Sequence, residues 1–505
     1  MSATGALDRT MSAPAATGGS SAGVVAPARR RRAPGLDFLF TAVFAVFGLG
    51  VGFQRLSDNS YFTHLVTGRW ILDHGIPRED FYSYTAPGTK WVAQSWLAEV
   101  LYAQLDRSFG GFGVRLLGAL ATAAIAVLAF RLALRCSRDR VRAALVTVAA
   151  LTGMVVLWSE RPLLLGLLCL MGLLWVVEVP DCFVGRHPIV VLPALFWFWA
   201  NVHGSFALGF AYLALHLVGR WADGARPWQG RERRILVASA IAAGVTFANP
   251  YGPALVFFPL RLLGRGDILR HVTEWKSPDF HSIWGQSFLV WLAVFVIVVA
   301  RSRNRVTRRD LVVTVPFLLL GLWALRNVAI APLVCLPVVA RAVAVDPEAA
   351  EARRNEERRG GIAWVLAALL GVIGFALVSQ AAAQPDFATA SYPVKAVRAL
   401  EDRGLIGRRL LLDDGAAAYV ELEYFPRQRV FLDDRFDMFP PAVIWDYLEL
   451  ADGGARTTQI LDRYGVETVV WEKGKALAEN LRQSGNWTEI HRDRTWATFV
   501  RNDIP

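Results

Sequence analysis

Lysine is almost missing from this chain. Lys90, Lys276, Lys395, Lys473 and Lys475 are the only ones among 505 residues, although Lys and Arg together number 54. The net charge of +11 is therefore carried by arginine. Charge of either sign is scarce, at 19% against about 25% in ordinary soluble domains. Cysteine is limited to Cys136, Cys169, Cys182 and Cys335. No CxxC pair exists, so zinc and dithiol redox sites have no support. The chain has no G-x-G-x-x-G, no P-loop and no recognisable Ser-His-Asp arrangement, so the common nucleotide-binding and hydrolase motifs are absent.

What is present is apolar. Hydrophobic residues make up 54% of the chain. They fall in eleven runs: 36–54, 112–134, 143–158, 162–179, 188–200, 205–219, 235–248, 285–300, 311–325, 327–344 and 361–380. A membrane span needs about 20 such residues, with a range of roughly 17–25. The composition and the runs predict a polytopic α-helical membrane protein of about 11 spans over 35–380, behind a disordered basic tail over 1–34. The tail ends in Arg29-Arg30-Arg31-Arg32 and reads as cytoplasmic, with an uncleaved signal anchor after it.

Much of the arginine lies in alternate short connections: 135–142, 220–234, 301–310 and 346–359. That is the positive-inside signature rather than a nucleic-acid footprint, so no nucleic acid is expected as a partner. With the tail inside, a C-terminal segment over 381–505 lies outside.

The same topology gathers polar groups on the outer face. The first span is followed at once by Asp58, and a charge beside a bilayer is costly unless it is solvated, paired or functional. A large first outer loop, 55–111, carries Asp58, His64, Glu79 and Asp80. Ser60 is expected to cap a helix from Tyr61 to His74, with Gly75 ending it. Trp96–Phe109 reads as a second amphipathic helix closed by Gly110-Gly111. The loop is expected to lie flat on the membrane surface as helix, loop and helix. Later outer turns hold Glu160-Arg161, Asn201 and His203, Asn249-Pro250-Tyr251-Gly252, Glu274 and Arg326. One reading gathers them in a shared outward-facing cleft. The other leaves each as a solvated helix end, with the asparagines as caps and the arginines snorkelling to headgroups.

Asp58, Tyr61, Gly75, the aromatic loop with Asp80, and then Trp91 and Trp96 resemble the first external loop of the GT-C membrane glycosyltransferases. The protein mannosyltransferases and the lipid A aminoarabinose transferase are members. The stretch also resembles a bacterial group with His64, Gly68-Arg69-Trp70-Ile71-Leu72 and Asn249-Pro250-Tyr251-Gly252. The resemblance implies a GT-C-like fold in a bacterial inner (plasma) membrane. It also implies a polyprenyl-phosphate sugar donor and an acceptor that is an envelope glycan, lipid or protein.

Asp58 would then be the base, with Asp80 as second acid, and Arg161 and Arg326 would hold the donor phosphate. His64, Glu79, His203, Asn249 and Glu274 would line the substrate. The mannosyltransferases place an Asp-Glu pair where this chain has Asp58-Asn59, so a second acid must come from Glu79 or Asp80. Some members use a divalent cation and others none, and Asp58 with Asp80 is the pair to consider for one. Two rival readings are a non-catalytic envelope assembly protein that keeps the fold, and a transporter or flippase, for which mid-span charges and an internal repeat are missing.

Beyond 381, strand-like runs at 409–412, 430–432, 468–471 and 495–500 alternate with helical patterns, predicting a small α/β domain. Asp413-Asp414-Gly415 and Asp433-Asp434-Arg435 each follow a predicted strand. They are carbohydrate or cation contacts or simply turn residues.

Overall fold

The computed structural model describes residues 35–154, 158–302, 305–346, 348 and 361–504. The expected basic tail lies outside the described residues, as does most of the arginine-rich connection at 346–359. Helices of eight or more residues run α1 Leu36–Gly52, α2 Asn59–His74, α3 Trp96–Phe109, α4 Gly111–Ser137, α5 Arg140–Met154 and α6 Leu163–Glu178. They continue as α7 Pro188–Val202, α8 Phe206–Ala222, α9 Gly230–Val245, α10 Ile283–Arg301, α11 Arg308–Trp323, α12 Ala331–Ala342 and α13 Gly361–Ala383. Each apolar run carries one of these helices.

Gly111–Ser137, Ile283–Arg301, Leu325–Ala342 and Ala363–Ala383 are long and apolar enough to cross a membrane, and α1, α6, α7 and α8 are apolar but shorter. Little of α13 is covered by protein. A bare apolar helix of this length suits a lipid environment, because its backbone groups are satisfied internally.

Small residues let the first helices approach one another. A Cβ on Gly52 would stand 2.2 Å from Thr122 Oγ1, and one on Gly48 would stand 2.4 Å from Ala123 Cα. The Thr122 hydroxyl donates to the Gly48 carbonyl at 2.7 Å. This is the small-residue contact that substitutes for hydrophobic driving force inside a bilayer. At the end of the same helices, Arg115 is fully buried. It donates to the carbonyls of Gln54 at 3.1 Å and Ala381 at 2.8 Å, which pins α1 and α13 together.

The C-terminal part holds α14 Val394–Glu401, α15 Asp414–Tyr424, α16 Pro441–Ala451, α17 Thr457–Tyr464 and α18 Ala476–Gln483. Its strands are β1 Leu410–Leu412, β2 Thr468–Glu472, β3 Trp487–Arg492 and β4 Trp496–Arg501. The sheet order is β1-β2-β4-β3. The β1–β2 pair is parallel and the other two are antiparallel. One sequence expectation changes here. Residues 430–432 contribute only an isolated bridge at Val430 instead of a strand, and β3 and α15 carried no sequence expectation. The β3 residues alternate weakly between half-buried and exposed positions, so little periodicity marks them.

The first loop differs most from expectation. Its two helices form as predicted, and Gly75 ends α2 with φ at 86°, a conformation open to glycine. The cap is Asp58, whose carboxylate accepts from the Tyr61 N–H at 3.4 Å. Ser60 turns away from the capping role and donates to Asp434. The apolar side of α2 does not lie open to a membrane surface. Tyr61, Phe62 and Leu65 are fully buried, packed with Tyr102, Phe387, Tyr392 and Ala418. Protein covers the face that sequence periodicity assigned to lipid.

Backbone pairing completes the join. Tyr84 N–H donates to the Val430 carbonyl at 3.1 Å, and Val430 N–H donates to Tyr82 at 3.2 Å. At the centre of the contact Arg435 donates to Asp80 at 2.6 Å and to both oxygens of Asp433 at 2.8 and 2.6 Å. Both carboxylate side chains are fully buried. The guanidinium also stacks on Trp91 and Tyr82, 4.4 and 4.7 Å from their ring centres. Removing one partner of a buried pair strands the others, at a cost of about 3–5 kcal/mol. Arg435→Met is therefore expected to destabilise the purified protein by about that much. Thermal unfolding in detergent checks it, and an unshifted transition would show that the cluster does not hold the loop.

Candidate active site

A cavity of about 570 Å³ lies between the helical part and the C-terminal part. Its wall has two chemical halves. One comes from the membrane helices and the first loop, and bears His64, Arg161, His203 and Arg326. The other comes from the C-terminal part, and bears Asp413, Asp414, Asp434 and Asp437.

Local structure explains the cationic half. Arg161 sits in the turn before α6, where Pro162 ends the preceding segment. Arg326 occupies a 3-10 turn, Leu325–Asn327, and Glu274 occupies another, Thr273–Trp275. The Leu325 N–H donates to the Lys276 carbonyl at 2.9 Å, so the two turns are tied. Arg161 Nε donates to both oxygens of Asp58 at 2.8 Å, and its Nη1 pairs with Glu274. Arg326 has no carboxylate partner among the described residues. Its guanidinium lies 4.5 Å from the centre of the Trp275 ring. Asp437 acts on it through space without an ion pair, and such a cation in a cavity wall is a ready contact for an anionic ligand.

The histidines are held in place. His64 Nδ1 lies 2.8 Å from Glu99. His203 follows the end of α7 with its Nδ1 at 2.9 Å from Ser205 Oγ. Burial pulls His203 down to about 3, and the positive charge of Arg326 adds to the effect. His203 is therefore neutral and serves as a hydrogen-bonding group, not a charge.

The acidic half is pushed the other way. Burial raises Asp414 to about 6, with Asp413 adding repulsion, and Tyr447 O–H donates to it at 2.8 Å. Asp437 is raised to about 6 by burial. Burial and then the Asp433 charge raise Asp434, which accepts hydrogen bonds from Ser60 and, at 3.3 Å, from Asn59. A raised carboxyl is a stronger base once ionised.

The sequence-selected residues divide accordingly. His64, Arg161, His203, Glu274 and Arg326 converge on the cavity. Asp58 is outside the lining but grips Arg161, which is part of it. Asp80 does not reach the cavity. Besides Arg435 it accepts from the Ser83 hydroxyl at 2.6 Å, which makes it part of the joint between the two halves. Glu79 is exposed on the loop surface. Asn249 is a turn residue, donating to the Thr246 and Gly252 carbonyls at 2.8 and 3.1 Å.

The sequence had marked the Asp413-Asp414 and Asp433-Asp434 runs at strand ends without joining them to Arg161. Nothing marked Asp437. Asp58 and Asp80 are held by different arginines, and no group of three or more His, Cys, Asp or Glu among the described residues is arranged for a metal ion. These residues do not fit a divalent-cation site.

No protein-family description matches the chain, and no curated protein sequence matches it. Solved structures do. The archaeal oligosaccharyltransferase AglB from Archaeoglobus fulgidus, in complex with an inhibitory peptide and a dolichol-phosphate, is similar with a TM-score of 0.57 at 10% identity. The match covers 86% of this chain and 69% of that one. ArnT from Cupriavidus metallidurans, bound to undecaprenyl phosphate, is similar with a TM-score of 0.53 at 13% identity, over 92% of this chain and 97% of that one. The resemblance that the first loop carries is thus borne out as a fold: the chain is mostly helical and shares the architecture of these two structures.

Proposed function

We propose that the protein is a bacterial membrane glycosyltransferase that moves a sugar from a polyprenyl-phosphate donor to an envelope acceptor on the outer face. The observation that carries this reading is the divided cavity, with Arg161 and Arg326 facing a wall of carboxylates. The two similar structures hold polyprenyl or dolichol phosphates, and this chain's cationic half offers the same chemistry. The reading takes about eleven spans, an inside N-terminus and an outside C-terminal α/β domain over 381–505, from the alternation of arginine.

The reaction follows from the residues. Asp58, still held by Arg161, takes the proton of an acceptor hydroxyl. The acceptor oxygen attacks the anomeric carbon as the bond from that carbon to the phosphate oxygen breaks. Attack opposite the leaving group inverts the centre, as in inverting glycosidases. Arg161 and Arg326 receive the charge that develops on the departing phosphate. His203, neutral and a hydrogen-bonding group, is placed to orient the donor. Asp434, not Asp80, is the second acid in this scheme, since it lines the cavity and hydrogen-bonds with the start of α2.

A non-catalytic assembly role is the second reading. It is favoured by the engagement of Asp58 with Arg161, which leaves no unpaired carboxylate at the position of the expected base.

Purified protein given labelled polyprenyl-phosphate sugars and envelope extract separates the two. Asp58→Asn is expected to lower transfer by about 10²–10⁴-fold, the range of general base catalysis. Equal transfer by both proteins would remove Asp58 from the mechanism, and no transfer by the wild type with any donor would favour assembly. Arg326→Ala is expected to raise the donor KM about tenfold or more, as loss of a charge-assisted phosphate contact does. Unchanged donor KM would place the phosphate elsewhere.

A further inference from the structure

Arg161 is held by two acids at once. Asp58 takes its Nε, while Glu274 takes Nη1. The two acids are not equivalent. Asp58 caps α2 and is 14% exposed at its side chain. Glu274 lies on a one-turn 3-10 segment, is 35% exposed, and its carboxylate has no hydrogen bond to any other residue among those described. The next residue, Trp275, carries Arg326 on its ring. Glu274 is thus an anion set on the cavity wall beside two arginines.

We infer that Glu274 is an internal stand-in for the donor's phosphate. The inference rests on the reading of the cavity as a polyprenyl-phosphate site. A carboxylate and a phosphate present similar acceptor oxygens to a guanidinium. A phosphate arriving at Arg161 adds a third anion to a group already paired twice. One carboxylate must withdraw, because like charges at contact repel strongly away from bulk water. Glu274 is the one free to withdraw. Asp58 is anchored as a helix cap, whereas Glu274 has solvent beside it and no second contact to break. When the polyprenyl phosphate product leaves, Glu274 returns to Arg161. The arginine never stands unpaired, and the product is displaced by a competing anion built into the chain. Glu274 therefore lowers donor affinity and speeds product release.

The sign of the effect makes the proposal testable, since losing a charged cavity residue should tighten binding. Dissociation constants would be measured for undecaprenyl phosphate in detergent micelles with wild type, Glu274→Gln, Glu274→Ala and Arg161→Ala. Undecaprenol, which has the same tail and no charge, serves as the second probe. Both Glu274 variants are expected to bind the phosphate about fivefold tighter, the scale of one partly exposed ion pair, and to bind undecaprenol as the wild type does. Arg161→Ala should weaken the phosphate alone. Equal or weaker phosphate binding by both Glu274 variants, with the arginine dependence intact, overturns the stand-in and leaves the cavity reading standing. Equal binding of both probes by the wild type, insensitive to Arg161→Ala, overturns the cavity reading and the stand-in with it.

Discussion

Arg435 and the two carboxylates it holds, Asp80 and Asp433, are the contact on which the rest of the arrangement depends. Three charges have been taken largely out of water, with both carboxylate side chains fully buried, so a lost partner is costly. The guanidinium is further enclosed by Trp91 and Tyr82. Asp80 belongs to the loop that leaves the first apolar helix, and Arg435 belongs to the C-terminal part. The cluster therefore determines where the C-terminal part sits over the helices. Moving it by the width of a side chain would strand at least one buried charge.

The cavity follows from that placement. Its cationic wall is made of turns at the ends of apolar helices, and its acidic wall is made of the start of α15 and the loop before α16. Neither wall is a site alone. Arg161 and Arg326 without the opposite wall are arginines in turns at helix ends. The four aspartates without the arginines are turn residues. Brought face to face across about 570 Å³, they set cationic and acidic groups on opposite sides of one space.

Burial also governs ionisation in both halves. Burial lowers His203 and raises Asp414, Asp434 and Asp437, each toward its neutral form. Desolvation acts on both signs of charge in the same sense, by penalising the ionised state. The site can thus hold its charges in a low-dielectric setting, where they act more strongly on a reacting group than they would in water.

The sequence by itself determined the local elements. Apolar runs became helices because their backbone groups bond internally, and Gly75 and Gly110 closed the loop helices where only glycine takes the required conformation comfortably. The arginines and histidines at helix ends were legible for the same reason, since a charge close to a bilayer must have a purpose or a partner. The C-terminal strands were half legible: β1, β2 and β4 alternate or run apolar, whereas β3 does not. The tertiary structure alone decided which acids face the cavity. Asp80 and Arg435 are 355 positions apart, and periodicity contains no distance between them. Asp80 and Asp434 look alike in sequence, each an aspartate in an irregular loop. The fold buried one as a strut against Arg435 and placed the other in the cavity wall, where Ser60 and Asn59 hold it.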